Sequence, residues 1–267
     1  MDFRAVELER FLANNATILR VKVVEAKGST PRDIDAFMLV SEKVSIGTIG
    51  GGQLEFEAIK TAKKMLITKQ SEQDLEIKLG ANNAQCCGGV VTLNFQILSE
   101  KQKTILHEIT KKTEKNLSHI YLFGAGHVGR ALANQLALLP YNVTITDTRP
   151  NVLNELPPII NCKISAIPEA IVREANPNSS FVIFTHDHAL DFLILSEVLN
   201  KKDAIYAGMI GSKTKRVKFE KYYKNEGGDI ALLSQITCPI GGDTSGDKRP
   251  QIIAALTLGE IISTLQR

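Results

Sequence analysis

A glycine-rich turn between a strand-like run and a helix-like run constrains this chain more than any other feature. Residues 120–123 are apolar, Gly124, Gly126 and Gly129 follow with the spacing G-x-G-x-x-G, and residues 130–139 contain neither Gly nor Pro. In a strand–turn–helix context the first glycine permits the turn, the second lets a diphosphate approach bare backbone, and the third lets the helix pack closely. The pattern predicts a Rossmann-like unit.

A second predicted strand, residues 142–146, ends at Asp147, which lies 18 residues beyond Gly129. A carboxylate at this distance is placed to bind a ribose hydroxyl. Asp147 would favour NAD over NADP, although Arg149 is nearby. The ligand of the turn is left open between NAD(P) and another nucleotide.

The composition is that of a globular protein. Of the 267 residues, 43% are hydrophobic and 23% charged, which suits two domains or one large α/β domain. The net charge of +3, the aromatic content of 6% and the lack of Trp argue against nucleic-acid binding. We find no signal-peptide core and no apolar run near the ~20 residues of a membrane span. Four Cys are too few for a disulfide framework, so we expect a cytoplasmic protein with reduced thiols.

The order of the predicted elements gives the domain organisation and an α/β fold class. Residues 1–99 predict an N-terminal α/β domain, and residues 100–117, rich in Lys, Glu and Thr, predict a linker that is either extended or partly helical. Strands alternate with helices over residues 118–267, which predicts a Rossmann-like parallel sheet with helices on both faces. Ligands of such a sheet bind at the carboxyl ends of its strands.

Three consecutive glycines, Gly50, Gly51 and Gly52, precede a predicted helix in the N-terminal domain. This is not a P-loop, because acidic residues occupy the first helical turn and no Lys-Ser/Thr pair follows. Two interpretations remain: a tight strand-to-helix connection, or a backbone cradle for a polar ligand.

Cys86 and Cys87 are adjacent and are followed by two glycines. A buried cysteine behaves as a small hydrophobic residue and is usually inert. A cysteine in a glycine-lined loop is accessible, and neighbouring backbone N–H groups favour its thiolate. Both interpretations are open, whereas a zinc site is disfavoured because no C-x-x-C pair accompanies these residues.

Two further motifs follow predicted strands of the C-terminal domain. His186 and His188 are two residues apart, so they are a poor metal pair, and substrate contact, acid–base work or loop hydrogen bonding remain as roles. Ser212, Lys213 and Arg216 begin a basic helix. Cations at a helix N-terminus oppose its dipole, which favours an anion site there, and the alternative is a solvated basic face.

Gly259 lies inside the last predicted helix, residues 251–265. Glycine in a helix interior costs about 1 kcal/mol relative to alanine. We therefore expect close helix packing at this position.

Taken together, these motifs resemble the XdhC family, the accessory proteins that mature xanthine dehydrogenase and related molybdenum hydroxylases. The resemblance rests on eight motifs in order: residues 28–32, 47–55, 85–89 and 123–130, Asp147 with Arg149, and residues 185–191, 208–216 and 238–241. Two departures are Asp35 before Ala36, where members often carry Gly, and Gly242, where Leu is usual.

The resemblance implies a chaperone, without turnover of its own, that binds molybdenum cofactor as molybdopterin or its dinucleotide. It would hold the cofactor during sulfuration by a cysteine desulfurase and deliver it to an apo hydroxylase of the xanthine dehydrogenase type. Cys87 is the family's candidate for contacting molybdenum, with Cys86 beside it, and Gly50 to Gly52 would line the pocket. A homodimer, with no nucleic-acid or membrane partner, is expected.

Two other functions stay open on the residues alone. One is an NAD(P)-dependent oxidoreductase, in which His186 or His188 would transfer protons. The other is an interaction protein whose Rossmann-like unit senses a nucleotide and regulates docking.

Overall fold

The computed structural model describes residues 3–79, 88–242 and 247–266, and the chain divides into two compact units, Met1–Lys115 and Asn116–Arg267. We call them unit 1 and unit 2 and describe each by itself. The elements of unit 1 are α1 (Ala5–Asn14), β1 (Leu19–Lys27), β2 (Phe37–Val40), β3 (Ser45–Gly47), α2 (Gly52–Thr68), β4 (Glu72–Lys78), β5 (Val90–Ile97) and α3 (Glu100–Lys115).

The described strands of unit 1 form an antiparallel sheet in the order β3-β2-β1-β5-β4. Alternation of side chains along the strands gives the sheet two apolar faces. Met38 and Val40 belong to a core cluster that includes Leu54 and Met65 of α2, whereas Leu39 between them packs with Leu8 of α1. The two helices thus contribute to different apolar clusters of the same sheet.

The segment predicted as a linker is mostly helix α3, which packs within unit 1. Glu114 near its C-terminal end accepts a hydrogen bond from the backbone N–H of Ala5 at 3.1 Å and pairs with Arg4 at 3.3 Å. Lys103 donates to the carbonyl of Ala16 at 2.7 Å. The Lys- and Glu-rich composition therefore reflects a solvated helix face and not an extended connection.

Unit 2 contains a parallel sheet in the order β11-β10-β9-β6-β7-β8, counted over the described residues. Its elements are β6 (His119–Phe123), α4 (His127–Leu136), β7 (Asn142–Asp147), β8 (Asn161–Ile164), α5 (Pro168–Glu174), β9 (Ser180–Ile183), α6 (His188–Lys201), β10 (Tyr206–Met209), α7 (Lys213–Asn225), β11 (Ile236–Thr237) and α8 (Pro250–Leu265), with 3-10 turns at Pro150–Val152 and Ile230–Gln235.

Helices cover both faces of this sheet, as predicted. Tyr121 and Phe123 of β6 belong to the core cluster built with α5, α6 and α7. Ile120 and Leu122 belong to the opposite cluster, built with α4 and α8. A strand buried on both faces has no polar alternation, which is why the sequence around β6 is continuously apolar.

The chain changes direction across the sheet at β6. From β6 it proceeds outward through β7 and β8, and then returns to the other side of β6 to form β9, β10 and β11. The carboxyl ends of β6 and β9 therefore form the topological switch point, where ligands of such sheets bind.

The expectation of close packing at Gly259 is wrong. A Cβ atom at this position would meet no atom within 4 Å. Gly259 is on the exposed side of α8, whose buried residues are Ala254, Thr257 and Ile261. Within the described ranges, no helix has the length and apolar content needed to cross a membrane.

Candidate functional site

The glycine-rich turn of unit 2 lies at the switch point and touches the end of β9. Gly124 adopts φ +107°, and a Cβ atom there would lie 2.6 Å from the carbonyl oxygen of Phe184. A Cβ atom at Gly129 would lie 2.0 Å from the carbonyl oxygen of Gly124. Gly126, in contrast, faces open space. Two of the glycines thus allow close backbone packing, and the third leaves the backbone accessible to a ligand.

The helix after this turn begins without a side-chain cap. Gly126 is the N-cap of α4, and no acidic residue lies in the first turn. The first N–H groups of a helix carry a partial positive charge and lack intrahelical partners. The start of α4 is therefore open to an anion.

Asp147 holds the turn to β7. Its Oδ2 accepts from the backbone N–H of Ala125 at 2.7 Å, and Arg149 donates to it through its backbone N–H and guanidinium at 2.9 to 3.0 Å. Burial by itself would raise the pKa of this carboxyl, but the hydrogen bonds from Arg149 and Ala125 outweigh it and lower the pKa from 3.8 to about 2. Asp147 is therefore an ionised carboxylate inside the turn.

A cleft opens beside Asp147 at the carboxyl ends of the strands. It is lined by Gly124, Thr146, Asp147, Ser165, Thr185 and His186, together with apolar side chains. Both predicted histidines are exposed; His186 lines the cleft, whereas His188 is the first residue of α6. The two side chains thus have different environments, and Asp187 between them caps α6.

The start of α7 differs from that of α4, because side chains at the start of α7 already have hydrogen-bond and ion-pair partners within the protein. Ser212 caps the helix by accepting from the backbone N–H of Lys215 at 3.3 Å. The guanidinium of Arg216 pairs with Glu220 at 2.8 Å and donates to the carbonyls of Ile236 and Leu233 at 2.7 and 3.2 Å. Lys213 is exposed. An anion here would compete with these contacts.

A buried ion pair joins the two motifs that follow β9 and β10. Lys215 Nζ donates to Asp191 Oδ2 and to the carbonyl of Ile210 at 3.0 Å, and both charged side chains are buried. Asp191 Oδ1 accepts two hydrogen bonds from Thr185, one from the hydroxyl at 2.6 Å and one from the backbone N–H at 3.1 Å. The sequence did not predict that Asp191 and Lys215 pair, because nothing in the basic segment at residues 213–216 shows which cation points inward.

Three glycine-containing motifs of unit 1 meet at one end of its sheet. A Cβ atom at Gly89 would lie 2.5 Å from the carbonyl of Lys27, and one at Gly28 would lie 3.3 Å from Gly89 Cα. A Cβ atom at Gly50 would lie 2.5 Å from Pro31 Cγ. The loop at residues 28–32 therefore touches both the loop at residues 47–52 and residues 88–89, which the sequence spacing did not indicate.

A carboxylate occupies part of the predicted backbone cradle. Glu55 Oε1 accepts from Thr48 Oγ1 and from the N–H groups of Ile49 and Gly51, the latter two at 3.0 and 2.8 Å. Burial raises the pKa of Glu55, but these hydrogen bonds outweigh it and the net pKa is lowered. The side chain thus fixes the loop, and Gly51 and Gly52 still border open space.

Cys86 and Cys87 lie outside the described residues. Gly88, which follows them, is exposed, and a Cβ atom there would meet nothing within 4 Å. The other two thiols lie in unit 2, where Cys162 is exposed and Cys238 is buried. Burial raises the pKa of both, so neither is an activated thiol.

Family models match both units. Residues 120–261 match the XdhC Rossmann domain, and residues 11–77 match the XdhC and CoxI family. This chain belongs to the XdhC family. The two matched regions contain the glycine turn of unit 2 and the loops at residues 28–32 and 47–52 of unit 1.

Similar proteins include two curated relatives and one solved structure. The uncharacterized protein YqeB of Escherichia coli is 25% identical over 96% of this chain, and this chain spans 45% of that protein. A probable xanthine dehydrogenase subunit of Bacillus subtilis is 24% identical, over 97% of both chains. A crystal structure of a xanthine dehydrogenase from Bacillus halodurans superposes with a TM-score of 0.80 at 18% identity, covering 99% of this chain and 96% of that one. This XdhC-family member therefore shares its whole fold with a solved structure.

Proposed function

We propose that this XdhC-family protein is an accessory factor for a molybdenum hydroxylase of the xanthine dehydrogenase type. It holds molybdenum cofactor during sulfuration and delivers it to the apo hydroxylase without turnover of its own. Family membership supports the accessory role, since one relative is itself named as part of a probable xanthine dehydrogenase. The observation that carries the cofactor site is the contact of the loop at residues 28–32 with the loop at residues 47–52 and with residues 88–89, which directly follow Cys86 and Cys87 in the sequence.

The residues of unit 1 fit such a ligand. Gly51, Gly52 and Gly88 present bare backbone to open space, as close approach of a rigid ligand requires. Because the carboxylate of Glu55 already accepts from the N–H groups of Ile49 and Gly51, these donors are not free for a phosphate, and the bare backbone at Gly52 and Gly88 is left to the ligand. Cys87 would contribute a thiolate, a soft ligand suited to a metal bound through sulfur.

Cofactor content tests this proposal directly. The protein is isolated from cells that make molybdenum cofactor, and bound pterin and molybdenum are measured for wild type, Cys87→Ala and Cys86→Ala. Cys162→Ala is the matched control, because this exposed thiol belongs to unit 2. We expect Cys87→Ala to lose cofactor and Cys162→Ala to keep it. Full retention, with full activation of the hydroxylase, by Cys87→Ala would show that this role is wrong.

The partners are tested by reconstitution. Loaded protein is mixed with the apo hydroxylase, with and without a cysteine desulfurase as sulfur donor, and hydroxylase activity is followed. We expect activation that depends on the loaded protein and increases with the sulfur donor. Light scattering on the same sample tests the expected homodimer.

An NAD(P)-dependent oxidoreductase is the second candidate, since His186 lines the cleft beside the glycine turn. Titration with NADH separates the two functions. Substrate-dependent NADH oxidation would replace the chaperone proposal, whereas nucleotide binding without turnover is compatible with it. A Gly126→Asp variant that keeps cofactor but fails to activate the hydroxylase would favour a nucleotide-sensing role for unit 2.

A further inference from the structure

The cleft of unit 2 has the features of a nucleotide site. Its walls combine the hydroxyls of Thr146, Ser165 and Thr185 with the apolar side chains of Pro168 and Leu190. The enclosed part of the cleft is only about 20 Å³, so it takes one edge of a heterocyclic base or a sugar, and the rest of the ligand lies outside it over the turn. The cleft borders Gly124, so a ligand in it would extend onto the open turn and the uncapped start of α4.

A buried hydroxyl in this cleft has no partner. Thr146 is 2% exposed, and its Oγ1 makes no hydrogen bond within the described part of the chain. A buried hydroxyl left without a partner has lost its hydrogen bonds to water without compensation. Because Thr146 lines the cleft, a polar atom of a bound ligand would satisfy this hydroxyl.

All acceptor positions of Asp147, the carboxylate expected to bind a ribose diol, are already occupied by hydrogen-bond donors of the protein. Asp147 Oδ1 accepts from the backbone N–H and Nε of Arg149, and Oδ2 accepts from Ala125 and Nη2 of Arg149. A carboxylate offers about four acceptor positions, and these four donors fill them. A diol could bind Asp147 only if the guanidinium left or the turn opened.

The charged side chain that a ligand could contact at this point is therefore Arg149, whose charge is balanced by that of Asp147. Arg149 is held in place by two guanidinium contacts to Asp147, yet its side chain remains 50% exposed. A guanidinium oriented in this way is suited to a phosphate, because charge-assisted contacts to phosphate are strong and directional. Arginine next to the ribose position is the group that accommodates a ribose phosphate in this fold.

We propose that unit 2 binds a nucleotide whose ribose carries an additional phosphate. The diphosphate lies on the turn from Gly124 to Gly129, the base and ribose contact the cleft at Thr146, and Arg149 binds the ribose phosphate. Asp147 positions Arg149 and the turn and does not itself contact the ribose. This reverses the preference for NAD that Asp147 indicated in the sequence.

The test compares nucleotides that differ at the ribose. Isothermal titration with the full chain uses NADP+, NAD+ and coenzyme A, which carries a ribose 3′-phosphate. We expect NADP+ or coenzyme A to bind about tenfold or more tightly than NAD+, since a charge-assisted contact contributes about 1.5–3 kcal/mol. Whichever of the two binds more tightly identifies the source of the phosphate.

Two variants make the outcome specific. Arg149→Met removes both guanidinium donors from Asp147, so the preference should invert towards NAD+. Thr146→Val keeps the side-chain shape and removes the hydroxyl, so affinity for every bound nucleotide should fall about fivefold at an unchanged ratio. Any of four results would overturn the proposal: neither NADP+ nor coenzyme A binds the wild type more tightly than NAD+, the ratio is unchanged in Arg149→Met, affinity is unchanged in Thr146→Val, or no nucleotide binds at millimolar concentration. Pterin content is measured separately, so failure here leaves the accessory function intact.

Discussion

The carboxylate of Asp147 accepts a hydrogen bond from the backbone N–H of Ala125 at 2.7 Å, which joins the end of β7 to the glycine turn that follows β6. The same carboxylate holds the guanidinium of Arg149. One buried acidic residue thus holds both the backbone of the glycine turn and the guanidinium of Arg149 beside the cleft.

Replacing Asp147 by Asn should destabilise unit 2 in a pH-dependent way. The pKa of Asp147 is lowered from 3.8 to about 2 in the folded protein. Its stabilisation, about 2 kcal/mol, is therefore present above the unfolded-state pKa of about 3.9 and is lost as the pH falls towards 2. Urea unfolding of wild type and Asp147→Asn from pH 7 to pH 2 should show this difference shrinking over that interval.

Asp247 offers a matched control, because it forms the same contacts with Arg249 two residues later but in an exposed loop. Exposed ion pairs contribute little to stability. Asp247→Asn should therefore lose much less stability than Asp147→Asn at every pH. An equal loss in both variants would contradict the structural role of Asp147.

Breaking the buried pair of Asp191 and Lys215 should be strongly destabilising. Lys215→Met leaves Asp191 as an uncompensated buried carboxylate, which costs about 3–5 kcal/mol. The double variant Asp191→Asn with Lys215→Met removes both charges and should recover part of that loss. Urea unfolding of wild type, Lys215→Met and the double variant measures these differences. Arg173→Met is the control, because it breaks an exposed pair with Glu197 and should change the free energy of unfolding by less than about 1 kcal/mol.

Glu55 should order the glycine loop of unit 1. Glu55→Gln weakens charge-assisted contacts to Ile49 and Gly51, so we expect a loss of about 1–2 kcal/mol at pH 7. Because the folded-state pKa of Glu55 is lowered, this difference should fade as the pH drops below the unfolded-state pKa of about 4.3. Glu57→Gln is the control, since Glu57 accepts a hydrogen bond from the exposed side chain of Gln53 at 3.0 Å. Retained stability in Glu55→Gln would mean that the loop is fixed by its glycines alone.

Two helical glycines should respond in opposite ways to alanine. Gly259→Ala adds a methyl group in open space and should stabilise α8 by about 1 kcal/mol. Gly129→Ala places a methyl carbon 2.0 Å from the carbonyl oxygen of Gly124 and should open the glycine turn. Thermal unfolding should show a rise of a few degrees for the first variant and a clear decrease for the second. A lower melting temperature for Gly259→Ala would indicate that a partner covers this face.

The parallel sheet and the glycine turn of unit 2 could be predicted from the sequence, because their signals are local. An apolar run before G-x-G-x-x-G and a helix after it require only neighbouring residues, and β6 and α4 were found where these signals lie. The boundaries of α3 were not recognised, because a solvated helix and a polar linker have similar compositions.

The partners of charged side chains could not be predicted, since they depend on contacts between distant residues. Lys215, Arg216 and Lys213 are equivalent in a basic run, and only the fold decides that Lys215 points inward to Asp191, 24 residues away.

By itself the sequence determined the class of each unit, the family and the place of the glycine turn, since backbone conformation and apolar periodicity are properties of short segments. The tertiary structure decided how that turn can be used. In the folded protein, Arg149 and Ala125 donate to the acceptor positions of Asp147. The start of α4 has no side-chain cap, whereas Ser212 caps α7. A carboxylate can bind a ribose only if its lone pairs are free, and whether they are free depends on residues that folding brings to it.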